Sequence, residues 1–128
     1  MPGELILIVD DNPTNLKLLQ YLLATHRYEV RTAVDAEQAL EILATIRPVA
    51  ILLDLQLPGM DGLTLARRLR ADVATHDLVI VAVTAHAMKG EEQRAIAAGC
   101  DAFVTKPVDT RVLPVHLAKL LSRRREAR

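Results

Sequence analysis

An α/β fold with a doubly wound, five-stranded parallel sheet is what this 128-residue sequence predicts. Three observations carry the prediction. Short apolar runs alternate with longer stretches of helical period, five times over. The first, third and fourth runs have no polar face, as strands covered on both sides require. The second run alternates apolar and polar residues, as a half-exposed edge strand does. Strict alternation of strand and helix implies right-handed crossovers and parallel pairing. With the alternating strand at an edge, the order becomes 2-1-3-4-5 and the winding reverses between strands 1 and 3. In such sheets the functional crevice lies outside the carboxyl ends of the strands at that reversal.

The elements follow in order. Residues 5–9, Leu-Ile-Leu-Ile-Val, form an entirely apolar first strand. Residues 13–26 place Leu16, Leu19, Leu22 and Leu23 at helical spacing. Residues 28–32 alternate and form the second strand. Asp35 reads as the N-cap of a helix running to Thr45, and Pro48 stops any continuation. Residues 50–53 are the third strand and 63–71 the third helix. Residues 78–83 are again continuously apolar. A fourth helix is predicted over 88–98, with Gly99 at its C-terminal side. Residues 102–105 make a short fifth strand, and Asp109 opens the last helix. Pro114 lies about five residues into that helix, so the helix either starts late or kinks.

Composition bounds the function. The length fits one domain over residues 1–128, without an added effector domain. Formal net charge is zero, so no global basic field draws the chain to nucleic acid or to an anionic membrane. Arg123, Arg124, Arg125 and Arg128 are the one local excess, read as a solvated helix end complementing the macrodipole. The single cysteine, Cys100, has no internal disulfide partner, in keeping with a reducing compartment. The start of the chain lacks a basic region, and the apolar run after it is too short for a signal or membrane helix. A cytoplasmic location is expected.

Polar residues stand where the apolar strands stop. Asp10 and Asp11 follow strand 1, Asp54 follows strand 3, Thr84 follows strand 4 and Lys106 follows strand 5. A lone Asp at a strand end is ordinarily a turn former or cap. Three acids converging at one reversal point, joined by a Thr and a Lys, call for chemistry. Neighbouring strands lie about 4.8 Å apart, and two charges about 5 Å apart at an effective dielectric of about 20 repel by roughly 3 kcal/mol. That raises the carboxylate pKa values unless a cation offsets it. Oxygen ligands with room for water suit Mg²⁺. His26, His76, His86 and His116 are scattered, at no zinc spacing, and read as surface residues. Carboxylates, a divalent cation, a hydroxyl and an ammonium together suit phosphoryl transfer. Asp54 attacks phosphorus, Lys106 pairs with one phosphoryl oxygen, and Thr84 hydrogen-bonds another.

At these residues the chain resembles the receiver domains of response regulators, the CheY-like fold. Val9-Asp10-Asp11-Asn12 resembles the family's acidic pair. Leu53-Asp54-Leu55-Gln56-Leu57-Pro58-Gly59-Met60-Asp61-Gly62 resembles its phosphoacceptor loop. Val83-Thr84-Ala85 and Lys106-Pro107 resemble its switch and lysine motifs. Any one motif is short; the ordered set across the whole chain is highly specific. The runs at 83–90 and 98–102 look most like receivers of hybrid histidine kinases and of the single-domain DivK type. The resemblance implies two-component signalling, with Asp54 as phosphoacceptor and Asp10 and Asp11 as Mg²⁺ ligands beside it. Gln56 would coordinate through its backbone carbonyl. Thr84 and Phe103 would act as switch residues, and the Lys106-Pro107 bond is usually cis in the family. His86 and Gln56 flank the phosphate site at positions that influence acyl-phosphate lifetime.

The expected role is therefore that of a phosphoacceptor, not of an enzyme acting on other substrates, although it assists its own phosphorylation and dephosphorylation. A histidine kinase or histidine-phosphotransfer protein would supply the phosphoryl group. A downstream protein would read the switched surface, with no direct nucleic-acid or membrane partner and a homodimer as a further option. An Asp-nucleophile phosphohydrolase needs a second acid two residues after the nucleophile, and Asp54-Leu55-Gln56 and Asp10-Asp11-Asn12 both lack it. A phosphorylation-independent binding module would be expected to have lost acids, Thr or Lys, and all are present. No G-x-G-x-x-G or G-x-x-x-x-G-K-[ST] follows any strand, which excludes dinucleotide and P-loop readings.

Overall fold

The computed structural model describes residues 3–85 and 89–126. Its elements are β1 (Leu5–Val9), α1 (Pro13–Thr25), β2 (Glu29–Ala33), α2 (Ala36–Leu43), β3 (Ala50–Asp54), α3 (Gly62–Ala71), β4 (Val79–Thr84), α4 (Glu91–Ala97), β5 (Ala102–Thr105) and α5 (Leu113–Glu126). All strand pairs are parallel, in the order β2-β1-β3-β4-β5. The edge strand β2 has alternating exposure, whereas β3 and β4 are buried throughout.

Strand alternation divides the core into two layers. Leu7, Val9, Ile51, Leu53, Ile80 and Ala82 pack on one face against Ala36, Ala39 and Leu43 of α2, Leu65, Ala66 and Leu69 of α3, and Ala95 of α4. Ile6, Ile8, Leu52, Val79, Val81 and Val83 pack on the other against Leu19, Leu22 and Leu23 of α1 and Leu113, Leu117, Leu120 and Leu121 of α5. Burying such a side chain contributes about 1.5–3 kcal/mol, so both layers hold the strand ends in place. Among the described residues no helix is long and apolar enough to cross a membrane.

The helix boundaries depart from expectation for physical reasons. α2 stops at Leu43, where Ala44 is the C-cap. Tyr28 belongs to the α1 C-terminal turn, its amide donating to the Leu23 carbonyl at 3.1 Å, so β2 starts at Glu29. Among the described residues α4 begins at Glu91, behind Gly90, whose φ of 84° is a left-handed conformation that interrupts any helix running through it. Met88 and His86 lie outside the described residues. Asp109 does not open α5. It forms a turn in which its Oδ1 accepts the Arg111 amide at 2.9 Å, and its carbonyl accepts the amides of Val112 and Leu113. The helix thus starts late, and Pro114 falls in its first turn, where a missing amide costs nothing.

The arginine cluster also needs correction. Arg124 is not a freely solvated helix end: its Nη2 donates to Asp101 Oδ1 at 2.9 Å. Asp101 Oδ2 in turn accepts from Arg70 Nη2 and from the Ile80 amide, each at 2.8 Å. Arg70 reaches the carbonyls of Gly99, His76 and Leu78 as well. This clasp joins α3, the start of β4, the α4–β5 turn and α5 at the amino ends of the strands. Arg128 and the side chain of Arg125 lie outside the described residues. Cys100 beside the clasp is free and buried, and burial pushes its thiol up to about 11.

At the opposite edge, Gly62 lets α3 approach the end of β3. A Cβ there would lie 2.6 Å from the Asp54 carbonyl oxygen and 2.7 Å from Leu55 Cα. Both neighbours are backbone and cannot swing aside. Gly62→Ala is therefore expected to lower stability by about 1–3 kcal/mol, read as an earlier midpoint in urea unfolding.

Candidate functional site

The carboxyl edge of the sheet gathers polar side chains from four adjacent strands. Asp10 and Asp11 lie just past β1, Asp54 ends β3, Thr84 ends β4, and Lys106 lies just past β5. The pairing Val9↔Leu53 puts Asp10 and Asp54 next along neighbouring strands, and Thr84↔Thr105 brings Lys106 up from the far side. One carboxylate oxygen from each of Asp10, Asp11 and Asp54 lies within 4.8 Å of the others. Asp10 and Asp54 are 2% and 4% exposed, while Asp11 faces solvent.

Asp10 and Asp54 are held in the same way. Each ties one oxygen back to the backbone: Asp10 Oδ1 accepts the Asn12 amide and Asp54 Oδ1 the Gln56 amide, both at 2.9 Å. Such Asx turns fix the side chain's direction and end the strand. The second oxygens converge on Lys106, whose Nζ is 2.8 Å from Asp10 Oδ2 and 3.0 Å from Asp54 Oδ2. Asn12 continues the chain of support, its Oδ1 accepting the amides of Thr14 and Asn15 as the N-cap of α1. That capping role was not read from the sequence, although an Asn directly before a Pro at a helix start signals it.

Thr84 is fully buried, and its carbonyl accepts the Lys106 amide at 2.8 Å, which fixes where the lysine leaves the sheet. The Lys106-Pro107 peptide is cis. Phe103 is half-buried in β5 against the α2/α3/α4 side of the core. The Gln56 side chain is exposed, and only its amide engages Asp54. His26 and His76 are exposed and His116 is half-buried, apart from this cluster.

Three carboxylates and one ammonium leave two net negative charges (−3 + 1) in a partly buried space. Burial pushes the Asp54 carboxyl above the ordinary carboxylate range, and the Asp10 charge adds to it, against the pull of the Gln56 amide and of Lys106. Burial works against the Lys106 ammonium, but its hydrogen bonds to Asp10 and Asp54 outweigh it and raise its pKa. Lys106 is therefore charged at neutral pH. For Asp54 the raised pKa means that folding favours the protonated form. The stability this gives is complete below the unfolded value near 3.8 and is lost as pH rises through the folded value. Above the folded value the ionised carboxylate is a net cost, so there Asp54→Asn is expected to raise the thermal midpoint of the metal-free protein. The gain should vanish when both proteins are melted near pH 3.

Comparison with known proteins fits this geometry. Residues 6–118 match the response regulator receiver domain family. The response regulator PleD of Caulobacter vibrioides is 41% identical over 115 residues, covering 90% of this chain and 25% of PleD. The chain thus spans about a quarter of that relative. The polar-differentiation response regulator DivK of Brucella anthropi is 38% identical over 103 residues, covering 80% of this chain and 84% of DivK. Among solved structures, a CheY-like receiver domain protein from Methanospirillum hungatei superposes with a TM-score of 0.91 at 27% identity, covering 98% of this chain and 99% of that one. The receiver domain of a Pseudomonas aeruginosa sensor histidine kinase, solved with magnesium coordinated in its active site cleft, has a TM-score of 0.86 at 32% identity, covering 94% and 98%. With its strand order, its acid cluster and these relatives in agreement, the chain belongs to the receiver domains of two-component response regulators.

Proposed function

We propose that Asp54 accepts a phosphoryl group from a histidine kinase or histidine-phosphotransfer protein, beside a Mg²⁺ ion held by Asp10 and Asp11, and so switches a protein-binding surface. The observation that carries this reading is the position of β3 between its neighbours. On one side β1 supplies the two further acids; on the other, β4 and β5 supply Thr84 and Lys106. A group arriving on Asp54 meets ligands for a cation on one flank and hydrogen-bond donors on the other.

The residues fit a hard divalent cation. The donors are all carboxylate oxygens, gathered within one small space, and their charge exceeds what Lys106 offsets. Asp10, Asp11, Asp54 and the Gln56 carbonyl would hold the ion, with water completing its shell. When bound, magnesium supplies positive charge that offsets repulsion between the acids and the incoming phosphoryl oxygens.

The chain's own groups do the rest. The Gln56 amide fixes one Asp54 oxygen and leaves the other to attack. A new P–O bond forms there as the P–N bond to the donor's imidazole breaks, and the leaving imidazole keeps the electron pair. Lys106 already reaches that second oxygen, so its ammonium passes to a phosphoryl oxygen as the bond forms. Thr84 takes another phosphoryl oxygen through its hydroxyl, and Phe103 repacks with it in β5. The role is that of a phosphoacceptor assisting its own modification and its reversal. Output passes through contact with a downstream protein.

Two measurements test the reading. Incubated with acetyl phosphate and Mg²⁺, the wild type is expected to gain one labile phosphate by intact mass, Asp54→Ala none, and the metal-free wild type little. A mass gain retained by Asp54→Ala would contradict the assignment. Mg²⁺ at a hundredfold its dissociation constant is expected to stabilise the wild type by about 2.7 kcal/mol, seen in urea unfolding. Asp11→Ala should lose most of that response.

A further inference from the structure

α2 and α3 lie on the same face of the sheet, both running from its carboxyl edge to its amino edge, and a groove separates them. At the carboxyl end the groove opens into a cavity of about 510 Å³, lined by Leu40 of α2 and by Pro58, Gly59 and Met60 of the loop before α3. Leu40 and Arg68 continue into a second hollow of about 260 Å³. Leu43, Ala74 and Thr75 carry that one into a third of about 220 Å³ at the amino edge. None of Asp10, Asp11, Asp54, Thr84 and Lys106 lines these hollows, so the groove is separate from the phosphoryl site.

Charge along the groove changes sign from end to end. On the α2 wall, Asp35 and Glu37 stand at the carboxyl edge and Arg47 at the amino edge. On the α3 wall, Arg68 leans up toward the first cavity, as helical side chains lean toward the helix N-terminus, and Asp72 stands at the lower end. Glu37, Arg47, Arg68 and Asp72 are exposed, and among the described residues none of the four is in an ion pair. Val73 stands on the lower rim, between the groove residues Asp72 and Ala74. It is 85% exposed, more than any other large apolar side chain of the described residues.

A surface with an apolar knob at one end and an apolar hole at the other, and with opposite charges at the two ends of each wall, is complementary to itself turned end for end. A two-fold axis crossing the groove at its middle makes that turn and lays each helix antiparallel to its own copy. Glu37 then faces the partner's Arg47, Arg68 faces the partner's Asp72, and Val73 enters the cavity beside the partner's Met60. Symmetry makes every contact twice. We propose that the α2–α3 groove is the interface of a two-fold dimer of this chain. A two-fold parallel to the groove would also match charges, setting Glu37 against Arg68, but it leaves Val73 in water and the cavity empty. Burial of the valine selects the end-for-end arrangement, and the charges fix its register. The helices are short, so the interface is at the small end of the specific range and the dimer is a weak one.

Sedimentation equilibrium of the unmodified chain tests the proposal independently of the phosphoacceptor reading. Wild type is expected to be half dimer at about 100 μM or below. Val73→Asp changes a side chain that is already in water, so the dilute monomer should keep its thermal midpoint. The dissociation constant should rise about a hundredfold, because two buried valines are lost per dimer. Glu37→Arg and Arg47→Glu should each abolish self-association, since each sets like charges against one another twice. Mixed in equal amounts, these two variants should recover a dimer, because each meets the opposite sign at both contacts. A wild type still monomeric at about 1 mM would overturn the proposal and leave the groove to a partner of another kind. A dimer unchanged by Val73→Asp would overturn it by placing the contact on another face. A mixture that stays monomeric would do so too, since the other axis gives no such recovery.

Discussion

Three carboxylates crowded at the end of a parallel sheet are the constraint around which this molecule is arranged. Parallel pairing brings the carboxyl ends of all strands to one edge, so the register that pairs Val9 with Leu53 also forces Asp10 and Asp54 together. Among the described residues one ammonium, Lys106, answers them. Left to themselves the acids would separate; the apolar strands behind them prevent it. Helix starts lie at the same edge, and α1 begins directly after the acidic pair, so its amide ends add partial positive charge. The balance is still negative, which makes the site receptive to a small divalent cation.

The rest of the structure keeps that crowd in position. Backbone amides two residues on hold Asp10 and Asp54, so their free oxygens point at a common space and not at each other's strands. The close approach at Gly62 presses α3 against the end of β3 and fixes the loop after Asp54. At the far edge, Arg70 and Arg124 close on Asp101 from the two helical layers. That clasp holds the base of β4 and β5, the strands that deliver Thr84 and Lys106. Side-chain hydrogen bonds that tie elements down are found where the acids sit and at the base of the sheet. α4, short and without a side-chain cap, is the exception.

Most of this was legible in the sequence because the signals were local and redundant. Strand order followed from one alternating strand among uniformly apolar ones, and β2 does lie at the edge. The convergence of Asp10, Asp11 and Asp54 followed from strand adjacency, since each lies within a residue or two of a strand end. The misread helix starts were cases in which a backbone conformation overrode side-chain pattern. Gly90 in a left-handed conformation looks, in sequence, like any glycine near a helix start. Asp109 caps a turn with the same residue type that caps a helix, and only Pro114 hinted at the delay. The Arg124–Asp101 contact joins residues far apart in the chain, and no periodicity encodes such a pair.

The claim beneath all of this is that acids from two adjacent strands share one cation. Titration with Mn²⁺, a paramagnetic stand-in for Mg²⁺, followed by amide NMR line broadening tests it most directly. Saturable broadening is expected first at Asp10, Asp11, Asp54 and Gln56, and it should be reversed by excess Mg²⁺. Broadening centred elsewhere, or confined to Asp11 with Asp54 unaffected, would contradict a shared site.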